Sequence, residues 1–366
     1  MTIDRNDSDA HGRAGFRQVV GWAAQGNGTT GGGSGRLFIV DTVAQLREVL
    51  RSMGDAPKIL MVRGTIDVSE GRPYANRADQ SARGTVRLTS NTTLVGGGPN
   101  AKIIEGALFV QDVHNVIVHN LFIENPVDVD PQFEDGDGWN AEWDGLSIVG
   151  SHHVWVDQVT FSDGRFTIDQ YKEVNGWKFV QHDGALDIKR GADYVTVSHC
   201  RFELHDKTIL IGHSDSNGPQ DRGTLRVTFL NNHFTRVMQR TPRVRFGNVH
   251  LFNNVFEHDR NDGIYPYQYS YGIGVESTTR SERNAFLVGG LSTPCSVTRA
   301  YGGSLMRDTG STLNHAAVDL NSCGFNPHIG TPPPYPYVAR EMSPAVVEQI
   351  RREAGVGVVR IPLPRD

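Results

Sequence analysis

The chain has 366 residues, 38% of them hydrophobic, and a formal net charge of −5. That balance gives no global basic field to recruit nucleic acid, and no apolar run approaches the ~20 residues of a membrane helix. Length alone suggests roughly two domains, a prior that weakens for a repeat protein, and the 41 glycines favour tight turns over long helices.

Residues 1–20 are polar and lack the apolar core of a signal peptide. The run Gly26-Asn-Gly-Thr-Thr-Gly-Gly-Gly-Ser-Gly35 reads as a surface loop, so residues 1–35 are expected to form a flexible or loop-rich arm. No Lys-Ser/Thr follows the run, which argues against a phosphate cradle. A helix is expected next: Asp41 or Thr42 caps it, Leu46, Val49, Leu50 and Met53 share one face, and Gly54 ends it. Ile59-Leu-Met-Val62 reads as a strand.

From about residue 90 the pattern changes. Five segments superimpose, beginning at Val116, Val154, Val195, Val227 and Val249. In the last four a valine precedes a phenylalanine by seven residues, and those valines are 41, 32 and 22 residues apart. A constant strand core with connections of changing length marks a solenoid, in which each coil buries its apolar side chains against its neighbours. Asn232 and Asn254 fall at the same place in successive coils, which predicts a ladder of stacked amides. Near the C-terminus, Ser343-Pro344 caps a helix carrying Val346, Val347 and Ile350, stopped by Gly355 and expected to pack on the C-terminal side. Cys200 lies in an apolar run and is expected as a buried free thiol. Cys295 and Cys323 are candidates for one disulfide, which spacing alone does not settle.

The chemistry concentrates in the middle of the chain. Asp144 lies just before a coil strand, and Asp183 and Asp187 open the next coil. Asp183 and Asp187 would be about 13 Å apart in a fully extended strand, so a bend is expected at Gly184. Three carboxylates near one point suit calcium, which accepts oxygen ligands in flexible geometry; no His/Cys set with zinc spacing accompanies them. Lys207 stands out because only six of the 36 cationic residues are lysines. Arg240 and Arg245 flank Pro242 in the following coil and suit bidentate binding of carboxylates.

The stretch from about Asp135 to Glu257 closely resembles the pectate lyases of polysaccharide lyase family 1. The phrases that carry the likeness are Gly136-Asp-Gly-Trp-Asn-Ala-Glu-Trp-Asp144, Val154-Trp-Val-Asp157, Phe161-Ser-Asp-Gly164, the aspartate run at 182–193, His205-Asp-Lys-Thr208, Ile211-Gly-His-Ser-Asp215 and Gln239-Arg-Thr-Pro-Arg-Val-Arg-Phe-Gly247. The resemblance implies a right-handed parallel β-helix, with residues 36–366 as one catalytic domain. It implies calcium-dependent cleavage of polygalacturonate by β-elimination. Carried over by position, Asp144, Asp183 and Asp187 look like the calcium ligands, Arg240 like the base, and Lys207 and Arg245 like binders of substrate carboxylates. Gln158 departs from the family's usual histidine at a position expected to be structural. The implied protein is a monomer acting on an acidic polysaccharide, with no nucleic-acid or membrane partner, and secretion is expected from the substrate rather than from any leader.

Two other readings stay open. A pectin lyase acting on methyl-esterified chains would not need the three aspartates. A non-catalytic polygalacturonate-binding β-helix would not need Arg240. Use of His182, His205 or His213 by a metal hydrolase is remote, because these side chains are more simply read as hydrogen-bonders of coils and groove.

Overall fold

Short apolar strands separated by turns stack into three long sheets in the computed structural model, which describes residues 18–291 and 293–358. Sheet I contains ten strands, running from Arg36–Val40 through His152–Asp157, Asp193–Ser198 and Arg226–Leu230 to Leu305–Thr309. Sheet II, from Thr65–Asp67 to Ala316–Ala317, also has ten, and sheet III, from Thr85–Leu88 to Thr298–Tyr301, has eight. The chain visits the sheets in the order I, II, III and then returns to I one rung further on. Apart from the closing pair Thr312–Leu313 with Ala316–Ala317, neighbours in all three are parallel. The architecture is a right-handed parallel β-helix.

The repeat expected from the valines is the register observed. Val116 pairs with Val154, Val154 with Val195, Val195 with Val227 and Val227 with Val249. Seven residues on, Phe161, Phe202, Phe234 and Phe256 stack inside the solenoid with ring centroids 4.9 Å apart. Phe286 adds a further rung at 4.8 Å, with Thr279 in the valine position. The amide ladder runs through three asparagines: Asn232 Nδ2 donates to Asn254 Oδ1 at 2.9 Å, and Asn254 Nδ2 to Asn284 Oδ1 at 3.0 Å. Cys200 N–H donates to Asn232 Oδ1 at the near end, and the Cys200 thiol is buried and free. Asn254→Ala strips buried donors and acceptors on both sides, so stability is expected to fall by about 2 kcal/mol; a urea midpoint unchanged from wild type would refute the ladder as a stabilising element.

Both ends of the stack are covered, as edge strands require. The helix Val43–Met53 starts with a capping box between Thr42 and Gln45 and buries Val43, Leu46 and Leu50. Beside it Lys58 is fully buried, and its ammonium donates to the carbonyls of Gly54, Ala56 and Ser90 at 2.7, 3.1 and 3.1 Å. At the other end Leu320 is buried and Cys295 is bonded to Cys323.

Two segments sit differently from the sequence expectation. Residues 1–17 of the expected arm lie outside the described residues, but 18–35 are a packed strap on sheet I. Trp22 N–H and Ala23 N–H donate to the hydroxyls of Thr228 and Thr196, each at 3.0 Å. The glycines of the strap allow backbone to meet backbone: a Cβ on Gly32 would lie 2.1 Å from Lys58 O, and one on Gly35 2.2 Å from Pro57 O. The helix Pro344–Glu353 lies along the flank of sheet II instead of the C-terminal end, burying Val347 and Ile350 with Val255 and Ala285. The tail then runs back across earlier coils, where Gly357 N–H donates to Asn120 Oδ1 at 2.8 Å.

Candidate active site

The longest connections join sheet II to sheet III at residues 125–145 and 163–185. They deliver their last residues to the outward face of sheet III. Asp144 and Asp183 end these loops, Asp187 stands on the strand Leu186–Lys189, and Lys207 ends the strand Arg201–Lys207. Arg240 follows the strand His233–Gln239 at φ 60° and Arg245 follows Arg243–Val244. Lys207 pairs in register with Gln239, which sets Arg240 one rung beyond it.

Register also explains how the acids meet. Leu146 pairs with Leu186, so Asp144 lies opposite Gly184. Gly184 N–H donates to Asp144 Oδ1 at 3.1 Å. A Cβ on Gly184 would lie 2.5 Å from Asp187 Oδ1 and 2.8 Å from Asp144 Oδ1. Gly184 therefore provides room for two carboxylates rather than a left-handed bend; its φ is not positive.

Asp144 and Asp187 converge on an ammonium that the sequence reading did not single out. Lys189 Nζ lies 3.1 Å from Asp144 Oδ2 and 3.0 Å from Asp187 Oδ2. The signal was available: Asp187 and Lys189 are two apart on one strand and so share a face. Burial, and then the charge of Asp187, push the Asp144 carboxyl up to about 7. Burial opposes protonation of Lys189, but the two carboxylates outweigh it and raise its pKa. Asp183 turns the other way, 3.8 Å from Lys207 Nζ, and burial raises its carboxyl as well. Among the described residues, no three His, Cys, Asp or Glu side chains converge as a ready metal cage.

The cations are spread along the same face. Lys207 Nζ donates to Asn140 Oδ1 at 2.7 Å, tying it to the hairpin Gln132–Glu134/Gly138–Asn140. Arg245 Nε donates to Asp215 Oδ1 at 2.5 Å and Nη1 to Gly212 O at 3.3 Å. Arg240 has no carboxylate within ion-pair distance among the described residues, and its Nε is buried without a hydrogen-bond partner. The arrangement puts one cationic side chain free to act on a ligand beside two already anchored.

Below the loop that carries Asp183 lies a buried polar network. Asp163 accepts from Tyr265 OH at 2.9 Å and Asn125 Nδ2 at 3.1 Å, and lies 2.5 Å from His205 Nδ1. His205 Nε2 is 2.8 Å from the backbone oxygen of Asp183. Burial opposes protonation of His205, but the Asp163 carboxylate outweighs it and raises its pKa. His182 bridges the carbonyls of Pro126 and Phe166 at 2.9 and 2.7 Å, and His213 Nε2 lies 3.2 Å from Arg190 Nη2. All three histidines are hydrogen-bonders of the scaffold, as expected. In sheet I, Asp157 lies 3.1 Å from both His119 Nδ1 and His199 Nδ1. Gln158 is fully buried in the next turn, in keeping with a structural position.

Comparison with known proteins agrees with the fold. The pectate lyase family profile matches residues 12–359. The chain is 51% identical over 348 residues to pectate lyase E of Dickeya chrysanthemi, covering 92% of this chain and 86% of that protein. It is 30% identical to the pectate lyase of Bacillus subtilis (strain 168), covering 92% and 91% respectively. A solved pectate lyase bound to a hexasaccharide superposes with a TM-score of 0.88 at 28% identity, over 97% of this chain and all of that one (100%). The lyase of Acidovorax avenae subsp citrulli superposes at 0.85 with 26% identity, over 99% and 100%. With the matching profile spanning nearly all of the coiled scaffold and both long loops, the chain belongs to the pectate lyase family.

Proposed function

We propose that this chain is a calcium-dependent pectate lyase that cleaves α-1,4-linked polygalacturonate by β-elimination, outside the cell. The observation that carries the reading is the juxtaposition on one sheet face of acids with hard oxygen donors and cations suited to carboxylates. Asp144, Asp183 and Asp187 would hold the metal, since oxygen-only ligands suit calcium. Calcium, when bound, supplies positive charge that neutralises a substrate carboxylate and makes the adjacent C5 proton more acidic. The Lys189 ammonium, seated on the Oδ2 atoms of Asp144 and Asp187, would compete with a metal ion for these carboxylates.

The chain's own groups perform the rest. Lys207 and Arg245 pair with uronate carboxylates and fix the sugar ring in the groove. Arg240 takes the C5 proton, and the electron pair left on carbon is delocalised into the carboxylate, where the flanking cations stabilise it. The C4–O bond then breaks, the leaving oxygen takes a proton from water, and the new non-reducing end carries a 4,5 double bond.

The test is formation of unsaturated uronate from polygalacturonate, followed by absorbance, with and without a strong chelator. Activity should vanish on chelation and return with added calcium; persistence would favour action on the methyl ester instead. Because the Asp144 carboxyl is raised to about 7, it is neutral below that pH and charged above it. The calcium concentration for half-maximal activity is therefore expected to rise as pH falls from 8 to 6, and a constant value across that range would contradict the ligand assignment.

A further inference from the structure

Away from the acids and cations of sheet III, histidines gather on sheet I. The strand His114–His119 lies beside His152–Asp157, which lies beside Asp193–Ser198. His114 pairs in register with His152, and His152 with Asp193. The residues that follow them, Asn115, His153 and Tyr194, are all left-handed, at φ 59°, 56° and 52°. Consecutive side chains on a regular strand point to opposite faces. The left-handed residue breaks that alternation, and His152 and His153 meet on the outside with their Nδ1 atoms 2.8 Å apart.

Neighbouring groups fix both rings. The His114 and His152 rings stack with centroids 5.4 Å apart at 14°, and Tyr194 stacks on His153 at 4.9 Å and 29°. His153 Nε2 lies 3.1 Å from Gln25 O on the N-terminal strap. A carbonyl only accepts, so Nε2 carries the proton, and neutral His153 keeps its lone pair on Nδ1, facing His152. An imidazole whose far N–H is held by a backbone carbonyl is the usual arrangement behind a metal-bound nitrogen. The nearby carboxylate of Asp193 is occupied by Arg226, whose Nε donates to Oδ1 at 2.9 Å. Partial burial, followed by repulsion from His153 and His114, disfavours the charged form of His152. Beside the pair lies a cavity of about 240 Å³ that Asn27, Thr30, Asn91 and Asn115 line together with the histidines. It has room for an ion and several waters.

A hydrogen bond from one ring to the other would by itself account for the contact. The separation says more. Two nitrogens each bonded at ~2.0 Å to one ion stand about 2.8 Å apart at the right angle of a square-planar site, and about 3.3 Å apart in a tetrahedral one. The observed spacing matches the first, and square-planar nitrogen ligation belongs to Cu(II) and Ni(II) rather than to zinc.

We propose that His152 and His153 chelate one divalent transition ion, Cu²⁺ or Ni²⁺, through their Nδ1 atoms, with His114 and Tyr194 stacked behind them and water in the remaining positions. On binding, the proton on His152 Nδ1 passes through solvent to Nε2, and the ion takes the place of the ring-to-ring hydrogen bond. Because His153 is anchored on Gln25 O, the ion also ties the strap to sheet I. The site stands independently of the lyase reading, since it shares no residue with the acids and cations of sheet III.

The experiment titrates the full chain, free of any affinity tag, with CuCl₂ by calorimetry, in excess calcium so that the aspartates of sheet III are not what copper finds. Wild type, His152→Ala, His153→Ala and His114→Ala are compared, with circular dichroism confirming that each is folded. Affinity at the tightest site should fall at least about tenfold in H152A and in H153A, because a single imidazole loses the gain of a second ligand already in place. H114A keeps both nitrogens and should keep the site. The electron paramagnetic resonance spectrum of the wild-type copper complex should show two imidazole nitrogens. Affinity unchanged in both H152A and H153A overturns the site, as does a wild-type spectrum lacking the two nitrogens. A loss in H114A as large as that in H152A overturns the two-nitrogen assignment.

Discussion

Arg240→Ala is expected to lower kcat on polygalacturonate by about a thousandfold, within the range by which a positioned acid–base group accelerates proton transfer and equivalent to about 4 kcal/mol of barrier. Among the described residues the side chain is the one cation of the proposed trio without an anchoring partner, whereas Lys207 is tied to Asn140 and Arg245 to Asp215. Its backbone is held independently: the Arg240 carbonyl accepts from Ile209 N–H at 2.8 Å. Removing the guanidinium therefore takes away chemistry and leaves the coil in place, so the circular dichroism and melting temperature of the variant should match wild type. A base must lose its proton before it acts, and arginine is ordinarily a fixed cation. A reaction that begins with proton abstraction by such a group should run faster at higher pH, so wild-type activity should climb into the alkaline range. Full activity across a flat acidic-to-neutral profile, or an R240A enzyme with undiminished kcat, would remove Arg240 from the role of base.

The largest expected loss of stability comes from Phe202→Ala. Phe202 is fully buried and stacked on both sides, with Phe161 and Phe234 each 4.9 Å away. Truncation loses the transfer energy of the ring and opens a cavity that rungs fixed by backbone hydrogen bonds cannot close, a penalty of about 3–5 kcal/mol. In a linear stack each coil leans on its neighbours, so the defect should also reduce the cooperativity of unfolding. Denaturant titration by tryptophan fluorescence and by far-ultraviolet circular dichroism is the check. A destabilisation below about 1 kcal/mol would mean that the stack carries little of the fold's stability.

The coil repeat was legible because the interior imposes it. A strand buried between two others must present apolar residues at matching positions, and the valine and phenylalanine rows record that demand. The pattern stopped being readable at the rung with Thr279 and Phe286, where a threonine replaces the valine, and so the third asparagine of the ladder, Asn284, was missed. The three acids at 144, 183 and 187 and the three cations at 207, 240 and 245 stood out in the sequence as residue types at motif positions. Lys189 was half-legible: it shares a strand face with Asp187 in the sequence, but its second partner, Asp144, is 45 residues away and adjacent only once Leu146 and Leu186 pair. The same holds for Asp163 and Tyr265, 102 residues apart and bonded in the buried network under Asp183. The glycines of the strap mislead for a related reason. Their purpose is a close approach to Lys58 and Pro57, and nothing local in the sequence distinguishes that from freedom.

The valines that mark successive rungs are 41, 32 and 22 residues apart in sequence, yet they end up as immediate neighbours. Vertical position is thus blind to how much chain is spent at the side. Each storey is a fixed address, and the balconies built onto it can be lengthened, trimmed or exchanged while the floors above and below stand. Variation in what such a molecule grips can then accumulate one balcony at a time, with little risk to the building.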